Sequence, residues 1–117
     1  MTRNKEPQNL FGRRLRHVRQ ARGMAQDRLG VAIGLDEAVA SARMSRYETG
    51  THDPAYNTAV RIAKELGVEV AYFYTDDDDL AELIFKWQGL TPSEQQELLK
   101  IARKHGPQSS AERDVFS

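Results

Sequence analysis

The chain has 117 residues, 39% of them hydrophobic and 29% charged, which bounds it to one compact domain with short extensions and excludes wholesale disorder. It has no cysteine, hence no disulfide framework, no thiolate metal site and no cysteine nucleophile. No window approaches eighteen uninterrupted apolar residues and no hydrophobic signal stretch opens the chain, so the expectation is a soluble, cytoplasmic protein that does not enter a membrane.

A net charge of zero hides an uneven distribution. Residues 1–46 hold ten Lys or Arg against four acids, a balance of +6, and residues 47–117 hold seven against thirteen, a balance of −6. The basic front half would attract a polyanion and the acidic back half would orient its approach.

In chain order, residues 1–9 are polar and aperiodic, and read as a flexible arm. Residues 10–22 place Phe11, Leu15, Val18 and Arg22 on one stripe, with Arg13, Arg14, Arg16 and Arg19 around the rest, and Gly23 follows as a helix stop. A second, short helix spans 26–33 with Leu29, Ala32 and Ile33 inward, before Gly34. Asp36 is a good N-cap for a third helix over 37–48, which Gly50 closes. A fourth spans 56–66 with Ala59, Ile62, Ala63 and Leu66 inward. Residues 68–74 alternate like a strand, but an isolated strand lacks a partner in a helical chain, so a short helix is expected. The acids at 76–79 open a further helix over 80–88, with Leu80, Leu83, Ile84 and Trp87 on one face. Thr91, Pro92 and Glu94 form a capping box for the last helix, whose stripe is Leu98, Ile101 and Ala102. Residues 106–117 read as a disordered tail.

Several short segments occur in an informative order: Arg14-Leu15-Arg16, Arg22-Gly23-Met24-Ala25-Gln26, Gly34-Leu35, Met44 through Gly50, Pro54, and Arg61 through Val68. In this the sequence resembles the Cro and lambda-repressor-like helix-turn-helix family, in its xenobiotic-response-element class of transcriptional regulators, over residues 10–75. The resemblance implies an all-α fold: a five-helix DNA-binding domain, followed here by a two-helix extension over 76–105. It implies that the third helix enters the major groove and that Ser41, Ala42 and Arg46 face bases, with Arg43 and Ser45 nearby. An arginine in that place can pair bidentately with guanine. Gln26 matches the glutamine that meets phosphate at the start of the second helix, and Thr51, His52 and Asn57 would flank the other side of the groove. Arg13, Arg16, Arg3 and Lys5 could add long-range attraction to phosphate. Arg19 and Glu48 match a structural ion pair between the first and third helices.

Three departures from the family pattern stand out. Gly34 to Glu48 is four residues longer than usual, about one helical turn or roughly 6 Å, and the Asp36 cap favours a longer third helix over a longer turn. Ala25 replaces the customary Ser or Thr cap. Gly30 replaces a small alanine where two helices approach, which fits sterically but costs helix propensity.

The C-terminal extension is rich in bulky apolar residues, and Leu80, Leu83, Ile84, Trp87, Leu98 and Ile101 are expected to form a dimer interface, giving a homodimeric repressor on a two-fold symmetric double-stranded operator. The rival reading is a protein-interaction module on the same fold, such as an antitoxin or adaptor. An enzyme is not expected: His17, His52 and His105 lie far apart with no metal spacing, and the acids at 76–79 lack the interleaved spacing of a calcium loop. No metal or cofactor is called for.

Overall fold

In a computed structural model, which describes residues 6–105 and Val115, the order of elements is α1 (Leu10–Ala21), α2 (Gln26–Ala32), α3 (Glu37–Thr49), α4 (Tyr56–Leu66), a 3-10 turn (Val70–Tyr74), α5 (Asp78–Trp87) and α6 (Pro92–His105). The chain divides into two compact units, one ending at Phe85 and one beginning at Lys86.

The first unit is built on one apolar cluster. Phe11, Leu15 and Val18 of α1, Leu29 of α2, Met44 and Tyr47 of α3, and Ala59, Ile62, Ala63 and Leu66 of α4 are buried together, with Tyr72 and Phe73 of the 3-10 turn and Ala81 of α5. Spacings of three and four put these side chains on one face of each helix. The alternating stretch after α4 bends into the 3-10 turn and drives Phe73 inward, where its ring centroid lies 4.9 Å from that of Phe11. Among the described residues there is no strand, in keeping with the all-α expectation.

The helix ends follow local chemistry. Asn9 lies outside the helix in extended geometry and accepts from the Gly12 N–H, so this residue of the expected arm is the N-cap of α1. The remaining arm residues 1–5 and the tail residues 106–114, 116 and 117 lie outside the described residues. Gly34, between α2 and α3, has φ +100°, a conformation open to glycine at little cost. Arg22, expected on the inward stripe of α1, is exposed; its Nε donates to the Leu66 carbonyl at 2.9 Å, satisfying the end of α4, and its guanidinium lies over the Phe85 ring.

One inward assignment needs correction. Ala32 is exposed, because helical rotation carries it to one side of the face formed by Leu29, Gly30 and Ile33. In α5 the buried residue is Ala81; Ile84 and Phe85 pack partly on the core, while Leu80 and Leu83 are 50% and 53% exposed.

In the second unit the capping box forms as the sequence suggests. The Glu94 N–H donates to Thr91 Oγ1 at 3.1 Å and the Thr91 N–H donates to Glu94 Oε1 at 2.9 Å. Gln95 Nε2 donates to the Trp87 carbonyl. No residue of α6 is buried, and Ile101 is 58% exposed.

Candidate nucleic-acid interface

α3 divides its residues sharply between two faces. Ala40, Met44, Tyr47 and Glu48 point inward, a repeat of four, three and one residues that anchors the helix to the core. The opposite stripe is Ala38, Ala42 and Arg46, with Val39 and Arg43 along one side and Ser41 and Ser45 along the other; all are exposed except Ser45, which is half-buried. No part of the first unit covers Ser41, Ala42, Arg43 or Arg46.

The four additional residues lengthen the helix. α3 is helical from Glu37, and Asp36 Oδ1 accepts from the Ala38 N–H at 2.9 Å. The Asp36 carboxylate is thus turned back onto its own helix start. By helical rotation Glu37 falls on the side of Met44 and Glu48, away from the outer stripe. Neither acid occupies the stripe that carries the candidate base-reading residues.

The tight contact that seats this longer helix is between Gly30 and Ala40. A Cβ at position 30 would lie 2.7 Å from the Ala40 Cβ and 3.0 Å from its Cα and carbonyl oxygen. Glycine here is a steric requirement of the close approach to α3, a need the sequence reading, which noted only that glycine fits, did not foresee. A second close approach escaped the sequence reading: a Cβ on Gly12 would lie 2.1 Å from the Glu48 carbonyl oxygen, so α1 meets the end of α3 at van der Waals contact only because residue 12 has no side chain.

Beside that contact lies a buried polar knot. The Glu48 carboxylate, 0% exposed, accepts from Arg16 Nε at 3.1 Å, from Arg19 through Nε and through Nη2 at 3.1 Å, and from Gln26 Nε2 at 3.2 Å. Arg19 also donates to the Met24 carbonyl at 2.8 Å. Two guanidiniums and an amide supply the donors that a desolvated carboxylate needs, so the first three helices are tied at one point. Arg16, counted in the sequence among the phosphate-attracting charges, is directed inward to this knot. Gln26 shares it, and since a carboxamide nitrogen has two hydrogens, one donor of Gln26 is spoken for at the start of α2.

The remaining sequence-selected residues surround α3. Thr51 is exposed and its Oγ1 lies 2.9 Å from that of Thr49; the His52 N–H donates to the Arg46 carbonyl at 3.2 Å; Asn57 is exposed on the first turn of α4. Arg13 is exposed, with Asp78 at 3.8 Å. Arg3 and Lys5 lie outside the described residues.

Arg14 is the residue the sequence misplaced most. Grouped with the solvated arginines of α1, it is only 6% exposed and donates to the Thr75 carbonyl from Nε at 3.1 Å and Nη2 at 2.8 Å, to the Asp76 carbonyl, and to Asp78 Oδ1 at 2.9 Å, with its guanidinium over the Tyr72 ring. It satisfies the exit of the 3-10 turn and holds the start of α5. Its position beside the inward Leu15, on the edge of the apolar stripe, was the available signal.

A short helix, a turn opened by glycine and a longer helix with a bare outer face are what a helix-turn-helix reader requires, and the Helix-turn-helix domain family model matches residues 10–72. The chain belongs to this family. Among solved structures it is similar to the crystal structure of the transcriptional regulator BswR, with a TM-score of 0.75 and 42% sequence identity, over 80% of this chain and 92% of that one. No curated protein matches the sequence. Among the described residues no group of three His, Asp or Glu side chains could hold a metal ion, and no helix is long and apolar enough to cross a membrane.

Proposed function

We propose that this helix-turn-helix protein is a cytoplasmic, sequence-specific transcriptional regulator of the xenobiotic-response-element class that binds double-stranded DNA through α3 and acts as a homodimeric repressor on a two-fold symmetric operator. The observation that carries the reading is the outer face of α3, left bare by the domain that anchors its inner face. A major groove about 12 Å wide admits one such helix. Arg46 is the principal base reader, pairing with guanine; Ser41, Ala42, Arg43 and Ser45 complete the surface. Gln26, through its second amide hydrogen, and Thr51, His52 and Asn57 contact the flanking phosphates. The similarity to a transcriptional regulator supports the same role.

The exposure of Leu80 and Leu83 in the first unit, and separately of Ile101 in the second, supports dimerisation through the C-terminal helices, to which Ile84, Trp87 and Leu98 also contribute. A dimer presents two copies of α3 to half-sites one helical turn apart. Site occupancy that blocks transcription is the minimal mechanism for such a repressor.

Selection of bound sites from random duplexes tests the whole reading. A two-fold symmetric motif is expected, with affinity falling steeply as salt rises, and Arg46→Ala should relax the preference at one position per half-site. Binding to no duplex would remove the reading. Salt-insensitive capture of a protein partner through the apolar C-terminal helices would favour the interaction module instead.

A further inference from the structure

The outer face of α3 is apolar over its front half. Ala38 and Ala42 lie on the outer stripe, and Val39, beside them, is 44% exposed and stands apart from the apolar cluster of the core. An exposed β-branched residue gains nothing for a helix, since Val ranks below Ala in helix propensity and holds its side chain in essentially one rotamer. Its methyls, beside those of Ala38 and Ala42, form a small apolar surface open to a partner outside the domain. The two acids at this end are withdrawn from the stripe, Asp36 by capping Ala38 and Glu37 by its rotation toward Met44, so no carboxylate disturbs the apolar surface. Seven residues further along, Arg46 brings a guanidinium to the same face.

In the major groove, one base-edge group is apolar: the C5 methyl of thymine. A hydrogen-bonding side chain would gain nothing there, whereas the methyls of Ala38, Val39 and Ala42 can cover it and exclude water from it. We infer that Val39, with Ala38 and Ala42, recognises thymine methyl groups in the operator, so that each half-site carries thymine close to the guanine read by Arg46. The inference rests on the DNA-binding function proposed above. It also specifies spacing: Val39 and Arg46 are about 10 Å apart along the helix axis, which spans no more than about three base-pair steps of 3.4 Å. The four residues that lengthen α3 thereby acquire a role, because positions 37–40 form the turn that carries Val39 to the groove.

Removing the methyl tests the contact without altering any Watson–Crick pair. Duplexes carrying the selected site are prepared with deoxyuridine in place of thymidine, one position at a time, and titrated with the full-length protein and with Val39→Ala. The variant should fold normally, because alanine is the better helix former at an exposed site. Wild type is expected to lose about fourfold in affinity at one or two thymines per half-site, within three steps of the guanine whose preference Arg46→Ala relaxes. Val39→Ala should bind the thymine site more weakly than wild type and lose little or nothing further on uracil substitution. 5-Methylcytosine on the same strand position should recover part of the loss caused by cytosine in wild type and none in Val39→Ala. Equal affinity for thymine and uracil at every position, or an equal uracil penalty in wild type and variant, overturns the inference while leaving DNA binding intact. Failure to bind any duplex overturns both.

Discussion

Replacing Gly12 by alanine should destabilise this protein, although helix propensity alone argues the reverse. Within α1 a glycine-to-alanine change favours the helix by up to about 1 kcal/mol. Against that, the new methyl would stand 2.1 Å from the Glu48 carbonyl oxygen and 2.7 Å from its carbonyl carbon. A relaxed carbon-to-oxygen contact needs about 3.3 Å, so the backbones must separate by about 1.2 Å. The Arg16 Nε and Arg19 Nη2 bonds to Glu48, now 3.1 Å, would be pulled past hydrogen-bonding distance wherever the side chains fail to follow, while the carboxylate stays buried. Strain of this kind lies at the upper end of overpacking costs, about 3 kcal/mol, leaving a net loss of about 2 kcal/mol. For a domain of this size that lowers Tm by about 8–16 °C. Thermal unfolding followed by circular dichroism measures it directly. A Tm at or above that of wild type would refute the argument, showing that α1 and the end of α3 do not pack at this distance.

Arg19→Met should cost about 2–4 kcal/mol in the same melt, less than a buried carboxylate stripped of every cation because Arg16 and Gln26 remain; an unchanged melt would remove the knot as a stabilising feature. Ala25→Ser should raise stability by about 1 kcal/mol, since α2 begins without a side-chain cap; no gain in Tm would count against that boundary. Leu83→Asp should convert the dimer to monomer in light scattering with the helical spectrum unchanged, and a wild type that is monomeric at micromolar concentration would refute the proposed assembly. The Tyr74 phenol should titrate above its usual value, chiefly because partial burial disfavours the phenolate, with the Asp53 carboxylate and Tyr56 phenol adding to the effect. Its folded-state value exceeds the unfolded one, so its contribution to stability is complete below pH 10.0 and is lost as pH rises through the folded value. A phenolate absorbance titration in which Tyr74→Phe removes no late-titrating component would contradict this.

Periodicity made much of the fold legible: the Phe11, Leu15 and Val18 stripe of α1, the inward face of α4, the Asp36 and Thr91 starts, and the stop after α3 depend on residues close in sequence, and they appear as read. The third helix was also singled out in the sequence as the candidate reader, through the Met44–Gly50 segment that shares in the family resemblance. Charge could not be read the same way. Arg13, Arg14, Arg16 and Arg19 look alike along α1, yet the structure leaves Arg13 exposed, sends Arg14 to the carbonyls at Thr75 and Asp76, and brings Arg16 and Arg19 to Glu48.

Those destinations lie 29 to 62 residues away along the chain, and long flexible side chains carry no local mark of them. The glycines divide similarly. Gly34 is announced by its place between two helices, whereas the need for glycine at 12 and 30 arises from the backbones of Glu48 and Ala40. By itself, then, the sequence determined where helices begin, end and turn an apolar face, because those depend on hydrogen bonds and spacings within a few residues. Which arginines are buried, which glycines are obligatory and which face of α3 is left bare were decided by tertiary packing, since each depends on what another helix places within a few ångströms.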